Sequence, residues 1–179
     1  MRGELDDPGF GLTPGEVRLV HVDGTWSDRF ASERAMLLSA LGAGALDIQH
    51  IGSTAVPGML AKPILDIGVA IRSFEAGVPL VPLVVGCGYE YRGEHGIPRR
   101  HYFVKGEPRR THHLHMLEAE SDDWTRHLAF RDALRGSPAL AAEYSQLKRS
   151  IVAQVGGDRE RYQALKESFI SRCAACPGS

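Results

Sequence analysis

The sequence predicts an α+β domain: a mixed β-sheet core with flanking helices and a helical layer at the C-terminal end. Three observations predict it. The apolar run Pro63 to Ile71 is broken only by Asp66 and Gly68, the pattern of a strand covered on both faces. Short strand-like segments bounded by glycine, proline and polar turns surround it. From Ser121 onward, apolar residues recur at helical spacing instead.

Residues 1–14 are rich in Gly, Pro and Asp and read as a flexible arm; 15–172 read as one domain and 173–179 as a flexible tail. Val17 to Val22 alternates weakly, as a short strand does. Phe30, Met36, Leu37 and Leu41 then fall on one helical face, with Thr25 or Ser27 as cap and Gly42 and Gly44 as stop. Ala45 to Ile51 is a second strand with Leu46, Ile48 and His50 on one face. The small residues Gly52 to Gly58 form a loop before the central strand. Val78 to Val85 is a helix despite Pro79 and Pro82. Tyr89 to Arg92, His101 to Lys105 and Thr111 to Glu118 are strands, the last two joined by a turn at Gly106–Arg110. Ser121-Asp122-Asp123 caps a helix carrying Trp124, Leu128 and Leu134. Gly136-Ser137-Pro138 breaks it before a helix with Leu140, Tyr144, Leu147 and Ile151. Gly156-Gly157-Asp158 breaks again before a last helix with Tyr162, Leu165 and Phe169.

The 179 residues, 43% of them hydrophobic, suit one domain with a real core. Lys plus Arg number 21 against 22 Asp plus Glu, so the basic excess of a general nucleic-acid binder is missing and a small-molecule partner is expected. No apolar run approaches the roughly 20 residues that span a bilayer. Met1 to Pro14 lacks a secretory apolar stretch, so the expected location is the cytoplasm. Cys87, Cys173 and Cys176 do not make a disulfide framework. The CxxC pair Cys173–Cys176 lacks the further ligands of a zinc site, and Cys87 reads as core.

Four groups carry candidate chemistry. A strand ending at Gly52-Ser53-Thr54 offers close backbone approach, hydroxyls and N–H groups to a phosphate, and Lys62 offers a charge. The same loop also reads as an ordinary tight connection. Asp66 interrupts an apolar strand, where an ionised carboxylate needs an arginine, a metal or another partner. His113 and His115 share one strand face, to hold a divalent metal, move protons or simply face solvent. Arg99-Arg100 with Tyr102, and Arg131 with Arg135 at helical spacing, suit either phosphate recognition or ordinary ion pairs.

The stretch His50-Ile51-Gly52-Ser53-Thr54-Ala55-Val56-Pro57-Gly58, with Lys62-Pro63-Ile64-Leu65-Asp66-Ile67, resembles the signature of the GrpB family. Arg100, Tyr102-Phe103, His113-Leu114-His115, Phe130-Arg131-Asp132, Leu134-Arg135, Tyr144 and Leu147-Lys148 extend the resemblance from about Val17 to Phe169. It implies the nucleotidyltransferase-like fold of the DNA polymerase beta superfamily. There a Gly-Ser pair opens a helix that holds nucleotide phosphates, and two acids one residue apart on the next strand bind magnesium. Gly52-Ser53 and Asp66 match this pattern. Gly68 stands where the second acid belongs, and His113 and His115 stand where a third acid is often found. This departure runs against transfer by two clamping cations. The resemblance implies ATP or another nucleotide as co-substrate, bound by Gly52, Ser53, Thr54, Lys62, Arg100, Tyr102 and Arg131. It implies one Mg²⁺ or Mn²⁺ held by Asp66 with His113 or His115, and Asp66, His115 and Lys62 as the catalytic set. The reaction implied is nucleotidyl or phosphoryl transfer, or ATP-dependent activation, on a small-molecule acceptor. Gly68 favours a second reading, nucleotide or anion binding without turnover; a third is an interaction module that keeps the pocket as inherited shape.

Overall fold

The structure is a computed structural model that describes residues 9–155 and 169–170. The break at Gly156–Asp158, Tyr162, Leu165 and the cysteine pair of the tail lie outside the described residues. In chain order the elements are β1 (Val20–His21), α1 (Gly24–Leu41), β2 (Asp47–Ile51), β3 (Leu60–Ala61) and β4 (Leu65–Ile71). They continue with α2 (Phe74–Gly77), α3 (Val81–Gly86), β5 (Glu90–Tyr91), β6 (His101–Lys105), β7 (His112–Glu118), α4 (Asp122–Gly136) and α5 (Pro138–Val155). The main sheet runs β2-β4-β7-β6-β5, and β1 pairs with β3 in a separate two-stranded ribbon. Only β4 and β7 are parallel; the other pairs are antiparallel.

The apolar run does become the central β4, buried throughout except at Asp66, which is partly exposed. One face of the sheet packs on α1 and α3 through Leu37, Leu41, Ile48, Leu65, Ile67, Val69, Val84, Phe103, Leu114 and Met116. Leu37, with no exposed surface, contributes about 2 kcal/mol by burial alone. The opposite face lies under α4. Beside it, Phe130, Leu134 and Tyr144 of α4 and α5 pack with Val56 and Met59, so the C-terminal helical layer clamps the loop after β2.

Local details depart from the sequence expectations. Asp23, not Thr25 or Ser27, caps α1, its Oδ1 accepting from the Thr25 N–H at 3.0 Å. The first strand shrinks to β1 because β3, with which it pairs, has two residues. Leu46 precedes β2 and is exposed. The helix expected over Val78–Val85 divides into a 3-10 turn, Val78–Leu80, and α3, each proline sitting in a first turn where its missing N–H is harmless. The packed unit also reaches into the segment read as an arm: Phe10 and Leu12 are buried, and Leu12 bridges to Arg110 with N···O distances of 3.0 and 2.8 Å. Apolar contact with Trp26 and His112 holds Phe10 there. Glu33 of α1 is a buried acid that helical periodicity hides. It accepts from Tyr89 Oη and Lys105 Nζ, both at 2.7 Å, and faces His112 Nε2 at 3.9 Å.

Candidate functional site

Parallel pairing of β4 with β7 sets Asp66 opposite His113 and Gly68 opposite His115. Strand alternation then puts these four residues on one face, together with Tyr102 of β6, which pairs with His115. Helix α4 covers this face over Gly68 and His115, while the side chains of Asp66 and His113 stay partly exposed. The two sequence candidates Asp66 and His113 therefore meet: His113 Nδ1 lies 3.1 Å from Asp66 Oδ1. The Asp66 side chain is 29% exposed and that of His113 18%. An ionised carboxylate only accepts, so Nδ1 donates. The other ring nitrogen, Nε2, is buried and has no hydrogen-bond partner.

Gly52 closes on the other carboxylate oxygen. It follows β2 with φ +70°, and a Cβ placed there would stand 2.7 Å from Asp66 Oδ2. Gly52→Ala is expected to cost about 1–2 kcal/mol from the left-handed backbone alone. It should also push Asp66 off His113. A urea midpoint equal to wild type would refute this.

Gly68, where the superfamily pattern has an acid, is roofed by α4. A Cβ at Gly68 would lie 2.9 Å from Trp124 Cζ3 and 3.3 Å from Ile51 Cγ2. Trp124 thus fills the space a second carboxylate needs.

His115 bonds Arg100. Arg100 Nη1 lies 3.2 Å from His115 Nδ1, and because guanidinium only donates, that nitrogen accepts and the proton sits on Nε2. His115 also packs against His127, with ring centroids 5.2 Å apart. Burial first, and then His127, holds the His115 pKa well below the usual histidine range. His127 is lowered in the same way by burial, opposed by Asp66. Among the described residues no group of three or more His, Cys, Asp or Glu side chains converges to hold a metal ion; Asp66 and His113 are the pair that meets.

The arginines expected at phosphate serve the scaffold instead. Arg131 is buried, its Nη1 donating to Gln49 Oε1 (2.8 Å) and the His50 carbonyl (3.1 Å), its Nε to Asp132 (2.7 Å). It ties α4 to β2. Arg135 Nε donates to the Ala55 carbonyl at 2.9 Å and ties α4 to the loop. Arg100 is buried and grips the carbonyls of Glu94 and His95, with its guanidinium 4.7 Å from the Tyr102 ring centroid. Ser53 to Ala55 is a single 3-10 turn rather than a helix. Thr54 is buried with its Oγ1 3.0 Å from His50 Nε2, while Ser53 is partly exposed. Lys62, partly exposed, lies in the three-residue link between β3 and β4. Sequence reasoning missed Trp124 and His127 as neighbours of the site. The helical spacing of Trp124, His127 and Arg131 was a signal that one face of α4 looks onto the strands.

The family model described as GrpB protein matches residues 16–175. UPF0157 protein YqkA of Bacillus subtilis is 39% identical over 155 residues, covering 87% of this chain and 45% of that protein. Glutamate-rich protein GrpB of Alkalihalophilus pseudofirmus is 32% identical over 165 residues, covering 89% of this chain and 95% of that one. The chain spans 45% of the Bacillus protein's length and 65% of that of a Pseudomonas aeruginosa relative. A crystal structure of GrpB from Enterococcus faecalis superposes with a TM-score of 0.80 at 33% identity, covering 88% of this chain and 98% of that one. The fold is also that of terminal uridylyl transferase 4 from Trypanosoma brucei, solved with bound CTP: TM-score 0.50, 13% identity, 84% of this chain and 51% of that one. No helix among the described residues is long and apolar enough to cross a membrane.

Proposed function

This chain belongs to the GrpB family, and on that premise we propose that it is a nucleotide-dependent transferase. It moves a nucleotidyl or phosphoryl group of ATP or another nucleotide to a small-molecule acceptor, or uses it to activate that acceptor. The observation that carries this reading is the junction of Gly52, Asp66 and His113. A Gly-Ser turn closes on one oxygen of a strand carboxylate while an imidazole on the next strand holds the other. The phosphates lie at Gly52-Ser53 with Lys62 nearby. Asp66 stands beside them, fixed by the hydrogen bond from His113 Nδ1. Positioning and electrostatics then supply most of the rate. A near-balanced charge supports a small acceptor over a polynucleotide.

The residues fit one divalent cation and not two. Asp66 with the nucleotide's own phosphate oxygens suits one Mg²⁺ or Mn²⁺, which neutralises phosphate charge when bound. Trp124 over Gly68 leaves no place for a second acidic ligand. The same contact favours the second reading, nucleotide or anion binding without turnover.

Calorimetric titration of ATP, with and without Mg²⁺ or Mn²⁺, into wild type, Asp66→Ala and Asp66→Asn tests the proposal. Metal-enhanced binding that drops at least tenfold in both variants is the expected result. Equal binding by all three proteins overturns the Asp66-centred site, and ATP consumption against none separates the two readings.

A further inference from the structure

Residues 92–100, between β5 and β6, form a connection with four left-handed positions: Gly93, His95, Gly96 and Arg99. Two carry side chains, His95 at φ +46° and Arg99 at φ +61°. Such backbone persists where surrounding contacts impose it. Here the contacts are explicit. Arg100 Nη2 donates to the His95 carbonyl at 2.9 Å and, with Nε, to the Glu94 carbonyl at 3.2 and 3.3 Å. The Arg99 N–H donates to Glu94 Oε1 at 2.6 Å, and the Tyr102 N–H to the Gly93 carbonyl at 2.9 Å.

The loop so held presents one ring. His95 is exposed, yet stacked flat on buried Tyr102, with centroids 4.8 Å apart and planes 13° apart. Tyr102 in turn reaches His113 at 5.8 Å between centroids, and His113 holds Asp66. The order across the sheet is Gly52 after β2, Asp66 on β4, His113 on β7, Tyr102 on β6, then His95. Three strand spacings separate β2 from β6, on the order of 14 Å. A nucleotide laid across the strands, with phosphates on the Gly52-Ser53 turn, brings its base to the exposed imidazole.

We propose that His95, set flat on Tyr102 by the Arg100-pinned loop, is the platform on which the planar base of the nucleotide stacks. This rests on the nucleotide reading above. A stacked ring binds any base by its π-face, so the site accepts adenine and other nucleobases alike and reads no hydrogen-bond pattern.

The test titrates ATP and, separately, inorganic tripolyphosphate into wild type, His95→Ala and His95→Phe. His95 is exposed, so both variants keep the fold. The expected result is a loss of about tenfold in ATP affinity for His95→Ala, with His95→Phe near wild type and tripolyphosphate affinity the same in all three. If wild type binds ATP and His95→Ala binds it equally, the platform is overturned while the nucleotide reading stands. Equal losses for ATP and tripolyphosphate also overturn it, since a stack contributes nothing to a ligand without a ring. Failure of wild type to bind either ligand overturns the nucleotide reading and the platform with it.

Discussion

Gly68→Asp is expected to unfold the protein rather than complete a pair of acids. The new Cβ would meet Trp124 Cζ3 at 2.9 Å and Ile51 Cγ2 at 3.3 Å, both parts of packed side chains. Overpacking of this kind costs about 1–3 kcal/mol. The carboxylate would then be buried on a central strand with Trp124 and Ile51 nearest to it, adding several kcal/mol. The sum, more than about 4 kcal/mol, rivals the whole stability of a typical domain. Gly68→Ala should cost only the steric part, and less still in a Trp124→Ala background, because the clashing ring is gone. Urea midpoints of wild type, Gly68→Asp, Gly68→Ala, Trp124→Ala and the Gly68→Ala/Trp124→Ala double variant measure this. A Gly68→Asp variant as stable as wild type would show that Trp124 yields freely and that the second-acid position is open.

Acid is expected to destabilise the protein well above the pH at which carboxylates protonate. His50 and His112 are both pushed down to about 4, burial being the main cause in each. Asp66 opposes the shift at His50 and Glu33 opposes it at His112. Both rings are neutral in the folded chain down to about 4, whereas in the unfolded chain they take up a proton near 6.5. Between these values the unfolded state binds more protons, so stability falls as pH falls. It is complete above about 6.5 and lost progressively toward 4. At pH 5 each histidine removes about 2 kcal/mol, on the order of 4 kcal/mol together. Urea midpoints at pH 7.5 and pH 5 check this, with His50→Gln and His112→Gln each removing about 2 kcal/mol of the fall. A midpoint that stays level over that range refutes it.

Much of the fold was legible because period and punctuation agree. The apolar run of β4, the alternation in β7 and the Gly136-Ser137-Pro138 break are each dictated within a few residues. What periodicity cannot carry is partnership. A two-residue strand such as β3 exists only because β1 lies beside it. Glu33 sits at a helical position that reads as solvent-facing until Lys105, Tyr89 and His112 arrive from strands far along the chain. Arg131 and Arg100 are cations in the right part of the chain for a phosphate, yet backbone carbonyls bond both guanidinium groups, that of distant His50 for Arg131 and that of the nearby loop residue His95 for Arg100. The same residue types serve both purposes, and spacing does not distinguish them.

The candidate site divides along the same line. The Gly-Ser turn, Asp66 in an apolar strand, the imidazoles of His113 and His115, and the glycine two residues after Asp66 are all local statements, fixed by which side chain follows which. That Asp66 bonds His113 and not His115 depends on the register between β4 and β7, elements some 40 residues apart whose parallel pairing puts His113 directly across and His115 two residues on. That Gly68 has become a seat for Trp124 depends on where α4 crosses the sheet. That His95 stands at the edge of the site depends on a guanidinium reaching back to its carbonyl. Chain order sets the chemical groups available. Which of them meet is decided by strand register and helix docking, because hydrogen bonds and ring contacts act over a few ångströms between residues that only packing brings together.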